Sequence, residues 1–272
     1  MKTFERSEPV TVAVRAGRGE VTITATDTQV VQVDVTPLDG SAAAAQAARD
    51  THVALEGHTL VVDTPTRSGW QWRRTPNLAV TIHVPTGSSI VVTVASAAVR
   101  ADGRYAEARV KAASGEIWID DVTGAATIES ASGDVTAGRV GGALRIGSAS
   151  GHVSVRAAIG DVAAKAASGS ITIRLAGGSV SAETASGDVT IGSVRRGQAA
   201  IQTGSGDVEV GVAAGTGVWL DVSTASGSTV NELSMGGEAG GSAARPPLRL
   251  RIRTASGDIA IRRVQRDLPA AA

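Results

Sequence analysis

Apolar and polar residues alternate along this chain in short bursts, and from residue 114 onward the bursts restart about every nine residues. After each Ser-Gly pair the second residue is apolar: Ile117, Val135, Val153, Ile171, Val189, Val208. The fourth is apolar as well: Ile119, Ala137, Val155, Ile173, Ile191, Val210. Between them runs a mostly polar column of Trp118, Thr136, Ser154, Thr172, Thr190 and Glu209. Alternation of this kind predicts strands with one buried side, and the β-branched residues suit a pleated surface.

The punctuation repeats too. Gly115, Gly133, Gly151, Gly169 and Gly187 lie 18 residues apart, Gly206 follows after 19, and Gly227 and Gly257 come after larger insertions. A second series, Gly124, Gly142, Gly160, Gly178 and Gly197, falls midway. The intervening units carry smaller inward residues, among them Ala126, Ala164 and Ala182. An antiparallel meander would share the nine-residue spacing but would not hold residue type at 18. A parallel β-solenoid would, because each coil stacks like residues on like at about 4.8 Å. The expected fold is all-β, a single-domain parallel β-solenoid with 18-residue coils of two nine-residue units each. The sequence leaves open whether a coil has two sides or three.

The ends are less regular. Residues 1–95 read as an irregular β cap and opening coils, in which "VTVAVRAGRGEVTITAT" predicts two strands around a hairpin turn at Gly17–Glu20. "SAAAAQAARD" (41–50) predicts the single helix, with Asp39 or Ser41 as N-cap. Regular repeats are expected over 96–233, a Gly/Pro-rich loop over 234–247, and final strands and tail over 248–272. A cap is expected physically, since an open terminal coil offers unpaired backbone groups.

The repeated "T/A-A-S-G-D-V" units, the Ala-rich helix, a Pro-bounded Arg/Trp loop and "LDVSTASGSTVNEL" (220–233) together resemble a known family. It is the bacterial β-strand-repeat family called putative adhesin, a domain of unknown function. The resemblance spans nearly the whole chain and is strongest over 114–210. It implies a β-solenoid-like fold and supplies no catalytic residues to carry over. The opening "MKTFERSEPV" lacks the apolar core of an export signal, a departure from surface display.

Composition narrows the classes. Hydrophobic content is 42% but aromatic content only 2%, so Val, Ile and Ala must fill the core. A formal net charge of zero argues against a nucleic-acid binder. The absence of Cys excludes thiolate chemistry and disulfides. No run approaches the roughly 18 apolar residues of a membrane span. The expectation is a cytoplasmic protein without cofactors.

Candidate chemistry lies in the columns. The residue after each Ser-Gly reads Glu116, Asp134, His152, Ser170, Asp188, Asp207, Ser228, Asp258. Asp188 with Asp207, or Glu116 with Asp134, could in principle share a calcium ion, but two carboxylates fall short of its six to eight oxygens. The alternative is that these side chains accept hydrogen bonds from corner amides. The serines before the corner glycines lack adjacent bases. Trp70, Trp72, Arg73 and Arg74 in "RSGWQWRRTP", joined by Trp118, are candidates for partner contact, because Trp and Arg anchor interfaces; the loop's tryptophans could equally close the core. Asp161, Arg156, Lys165 and Arg174 are the candidate cluster for a polysaccharide-acting β-helix, and the Thr136, Ser154, Thr172, Thr190 column suggests a crystal-surface binder. The leading reading is a non-enzymatic structural or protein-interaction scaffold, acting through its surface or ends on a protein partner or on itself. A polysaccharide-binding or polysaccharide-acting protein is the alternative.

Overall fold

The computed structural model describes residues 1–65, 76–233 and 248–264. It is a two-sided parallel β-solenoid. One face stacks Ala108–Ser114, Ala126–Ser132, Leu144–Ser150, Val162–Ser168, Val180–Ser186 and Gly197–Ser205, all parallel. The other stacks Ile117–Val122, Val135–Val140, Val153–Ala158, Ile171–Ala176, Val189–Val194 and Val208–Ala213. The register is set by the repeat: Ala126 lies over Ala108, Ile128 over Val110, and Ser132 over Ser114.

The reason is packing. The inward columns, such as Ile117–Val135–Val153–Ile171–Val189–Val208, are buried throughout. Each such side chain contributes about 1.5–3 kcal/mol of hydrophobic free energy. A one-residue slip would turn the whole column to solvent. At the corner between faces the glycines stack on one another. Gly151 has φ +126, and a methyl there would overlap the carbonyl oxygen of Gly133 in the previous coil, so both conformation and space demand glycine. Among the described residues the one large aromatic in the deep core is Tyr105. Its hydroxyl lies 2.7 Å from the Ile23 carbonyl oxygen and 2.9 Å from that of Asp102. Burial first, then the charge of Asp102, pushes its pKa well above the ordinary tyrosine value.

At both ends the stacking order departs from the chain order. Thr11–Thr26 is a single strand that runs through both faces. Its first half pairs in parallel with Thr59–Asp63 and with Ser89–Tyr105, and its second half with Asn77–Pro85 and the rest of Ser89–Tyr105. The expected hairpin at Gly17–Glu20 is therefore corrected. Gly19, at φ +125, is a corner glycine packed against the Leu78 backbone. The two halves share an inward-facing alternation but lie on opposite faces, so they never pair with each other. The later coil, Thr59–Asp63 with Asn77–Pro85, lies outside the earlier one.

Antiparallel strands then close this end. His52–Glu56 pairs with Thr59–Asp63 on one face; Val30–Pro37 pairs with Asn77–Pro85, and Lys2–Glu5 with Val30–Pro37, on the other. Lys2 Nζ donates to the Val53 carbonyl at 2.9 Å, joining the two closing edges. The helix Ala42–Asp50 is capped by Ser41, whose Oγ accepts from the Ala44 amide at 3.0 Å, and it packs Ala44 and Ala47 on Leu78.

At the opposite end the last coil of the sequence is inserted between two earlier ones. Leu248–Ser256 pairs with Gly197–Ser205 on one edge and Val218–Ser226 on the other; Ile259–Val264 lies between Val208–Ala213 and Thr229–Asn231. The outermost coil is thus Val218–Ser226 with Thr229–Asn231, and among the described residues no strand pairs its outer edge. Its inward residues Val218, Leu220 and Val222 are only half-buried.

Candidate functional site

The post-glycine column forms a continuous hydrogen-bonded ladder. Asp134 Oδ1 accepts from the His152 amide at 2.8 Å, His152 Nδ1 from the Ser170 amide at 3.4 Å, and Ser170 Oγ from the Asp188 amide at 3.3 Å. Asp188 Oδ1 then accepts from Asp207 N at 2.9 Å, Asp207 Oδ1 from Asp258 N at 2.8 Å, and Asp258 Oδ1 from Ser228 N at 2.7 Å. Each side chain holds the backbone of the next coil, which is why Asp, Ser and His interchange in the column: each places an acceptor two bonds from Cβ or nearer. The Ser228 amide, and then its hydroxyl, hold the Asp258 carboxyl below its ordinary pKa. Asp188 and Asp207 thus sit in adjacent rungs, each with one oxygen engaged by the neighbouring amide. Among the described residues no three His, Asp or Glu side chains converge as a metal's ligands would.

The candidate cluster for polysaccharide chemistry does not assemble. Arg156 and Arg174 stand on one face and Lys165 on the other, while Asp161 occupies a corner and accepts from the Ser179 amide at 2.8 Å. Arg156 reaches over Gly138 to Asp120 at 3.1 Å, and Lys165 pairs with Glu183 at 2.8 Å. The hydroxyl column is in register, Thr136 beside Ser154, Thr172 and Thr190, with Trp118 and Glu209 at its ends. Trp118 is half-buried, and the Arg100 guanidinium lies 4.2 Å from its ring centroid, itself held by Asp102 at 2.9 Å. One ring face is therefore covered by a cation–π contact. Trp70, Trp72, Arg73 and Arg74 lie outside the described residues.

The structure adds a site that the sequence reading missed. On the face carrying Lys165, an open groove of about 780 Å³ runs across several coils. Its walls include Lys111, Glu129 and Lys165, and its floor Ala131 and Ala149. The outward column here reads Lys111, Glu129, Gly147, Lys165, Glu183 in register. Lys111 pairs with Glu129 at 2.9 Å, so ion pairs flank Gly147 on both sides. At Gly147 the column has no side chain, and a methyl group there would meet nothing within 4 Å. The signal in the sequence was this one glycine, with a charged residue in the two coils on either side. Under the groove lie the buried hydroxyls of Ser130 and Ser148, which have no hydrogen-bond partner among the described residues. The groove offers a carboxylate on one side, an ammonium on the other and a small-residue floor. That chemistry suits recognition of a polar, extended chain.

Residues 140–269 match the family model described as Toastrack DUF4097, a domain of unknown function. This supports the resemblance read from the repeats, to a domain of the putative-adhesin type. No curated protein matches the chain in sequence. Among solved structures, a putative adhesin from Bacteroides fragilis is 14% identical over 96% of this chain and 95% of its own, with a TM-score of 0.49. A putative adhesin from Parabacteroides distasonis is 10% identical over 95% of each chain, with a TM-score of 0.36. A putative lipid binding protein from the same species is 11% identical over 97% of this chain and 95% of its own, with a TM-score of 0.34.

Proposed function

We propose that this chain is a non-enzymatic interaction scaffold that presents its rigid solenoid surface to a protein partner. The observation that carries the reading is the corner ladder. The most conspicuous repeated polar groups in the sequence, Asp134 through Ser228, bind the coils to one another. Groups held this way stiffen the rod and leave the faces as the variable, contacting surface. The groove around Gly147 is a concavity on such a face.

The test is partner capture by the purified chain, comparing wild type with Gly147→Gln and with Asp188→Asn. Glutamine fills the groove at a position with open space. Asparagine keeps the acceptor of the ladder. A protein retained by wild type and Asp188→Asn but lost by Gly147→Gln, with melting unchanged, supports the scaffold. Partner loss confined to Asp188→Asn, with the fold intact, would overturn it in favour of an ion or catalytic site. The groove also favours a second reading, a bound polysaccharide strand. Retention of glycans in place of proteins, again sensitive to Gly147→Gln, would select that reading.

A further inference from the structure

The two ends of the solenoid are unlike, and the open one has the features of a self-pairing edge. Among the described residues Val218–Ser226 is bonded to Leu248–Ser256 on its inner side only. The Gly217 carbonyl accepts from the Leu248 amide at 3.3 Å. Strand alternation then turns the amides of Trp219 and Asp221 inward and those of Val218, Leu220 and Val222 to the free edge. The same three residues carry the inward side chains, which are half-buried here though their counterparts one coil in, Leu248, Leu250 and Ile252, are fully buried. Backbone groups and core side chains are thus unfinished along one line.

That line is self-complementary. The inward residues Val218, Leu220 and Val222 read the same in both directions about Leu220. In an antiparallel pairing of two copies, Leu220 meets Leu220 of the second copy across a two-fold axis, and Val218 meets Val222. The outward residues then pair Trp219 with Asp221, so no like charges oppose each other. Asp221 is already neutralised by Arg251 at 2.8 Å in the next strand, so the edge brings no net charge to the contact. The same axis sets Thr229–Asn231 against its own copy on the other face, where all three residues are exposed.

We propose that the chain forms a head-to-head dimer in which this terminal coil pairs with a second copy, centred on Leu220, joining two solenoids into one continuous sheet pair. The contact is isologous and therefore closed. The opposite end presents the outer edges of Lys2–Glu5 and His52–Glu56, with no counterpart of the Val218–Leu220–Val222 line among the described residues, so this contact joins two copies and no more. A coil end about 30 Å long and two sheets about 10 Å apart offers a few hundred Å² per copy. That is below the roughly 800 Å² per partner of a standard interface, the size range of weak, reversible contacts, so association is sought from micromolar concentrations upward. The proposal names one partner of the scaffold read above and rests on its rigid end, not on the groove.

Sedimentation equilibrium from low to high micromolar concentration tests it, with melting curves to confirm folding. Wild type should pass reversibly from the 27.3 kDa chain to twice that mass. Trp219→Glu, at a side chain 46% exposed, sets Glu against Asp221 of the other copy and should weaken association at least tenfold. The chain has no cysteine, so a Trp219→Cys, Asp221→Cys double variant reads the register directly. It should cross-link into disulfide dimers, while Ser223→Cys alone should not. A chain that stays monomeric throughout overturns the pairing, as does a dimer indifferent to Trp219→Glu with no cross-link in the double variant. Either result leaves the groove assay, and the scaffold reading, to stand or fall separately.

Discussion

The amino-terminal end of the solenoid and the carboxy-terminal end solve the same problem differently. Both terminate a stack of parallel coils, and both place a coil out of sequence order. At the first end, strand direction reverses: Val30–Pro37, Lys2–Glu5 and His52–Glu56 run antiparallel to the coils they cover. Val31, Val33 and Val53 are buried there. At the second end the direction never reverses, and Val218, Leu220 and Val222 remain half-buried. A reversal stops parallel stacking because the next coil no longer finds a matching edge. The repeat alone has no such stop. Termination therefore has to be encoded by residues that break the period: reversed strands at the first end, and at the second Thr229 and Asn231 in register with the buried Ile259 and Ile261.

The largest effect should come from uncoupling the ends. Gly151→Ala forces a side chain onto the Gly133 backbone at positive φ, where the conformation alone costs about 1–3 kcal/mol and the overlap adds to it. Calorimetry should show the single transition split into two, one for each half of the rod. A single broadened or merely lowered transition would mean that the coils relax around the rung. Next, one truncation made at each end should separate them. Val33→Ala, at a buried cap position, should lose about 2 kcal/mol. Val222→Ala, half-buried at the open coil, should lose under about 1 kcal/mol in denaturant titration. Equal losses would show that the open end is covered in solution.

A smaller effect is expected from Lys2→Met, which keeps the apolar stem and removes the bond to the Val53 carbonyl. It should cost about 0.5–1 kcal/mol, seen as faster amide exchange in Lys2–Glu5 and His52–Glu56 alone. The smallest should be a pH effect at the open end. The Asp258 carboxyl has a folded pKa below its usual value of 3.8, because the Ser228 amide and hydroxyl favour the charged form. Its contribution is therefore complete above about pH 4 and is lost as the pH falls through the lower folded value. Amide exchange at Ser228 should rise in that acid window, and Asp258→Asn should remove the dependence.

Much of the architecture was legible because it is repetitive. Ile117, Val135 and Val153 predict a buried column by alternation, and the stacked register confirms it. The Ser41 cap and the helix after it follow from local chemistry that needs no tertiary context. The insertion of Leu248–Ser256 inside Val218–Ser226 was not legible. Both strands carry the same pattern, and pattern fixes which residues point inward without fixing which coil lies beside which. The hairpin expected at Gly17–Glu20 failed for a related reason: a glycine at positive φ serves a hairpin and a solenoid corner equally well. At the candidate site, the acceptor role of Asp188 and Asp207 could be foreseen from side-chain length. The groove could not, since it depends on Gly147 standing between two ion pairs formed by coils 18 residues away on either side.

The tucked coils also bear on how the molecule would respond to being pulled. Tension applied near the carboxy terminus reaches Ile259–Val264 and Leu248–Ser256 first, and each is hydrogen-bonded along both edges. Such a strand cannot peel away one bond at a time from a free margin. It has to shear against two neighbours at once, or wait for the outer coil to leave. At the amino terminus the order differs: Lys2–Glu5, paired along one edge, would peel first, and Thr11–Thr26, paired along both, would then hold. A rod whose carboxy-terminal strands are locked one layer in resists unravelling from that tip.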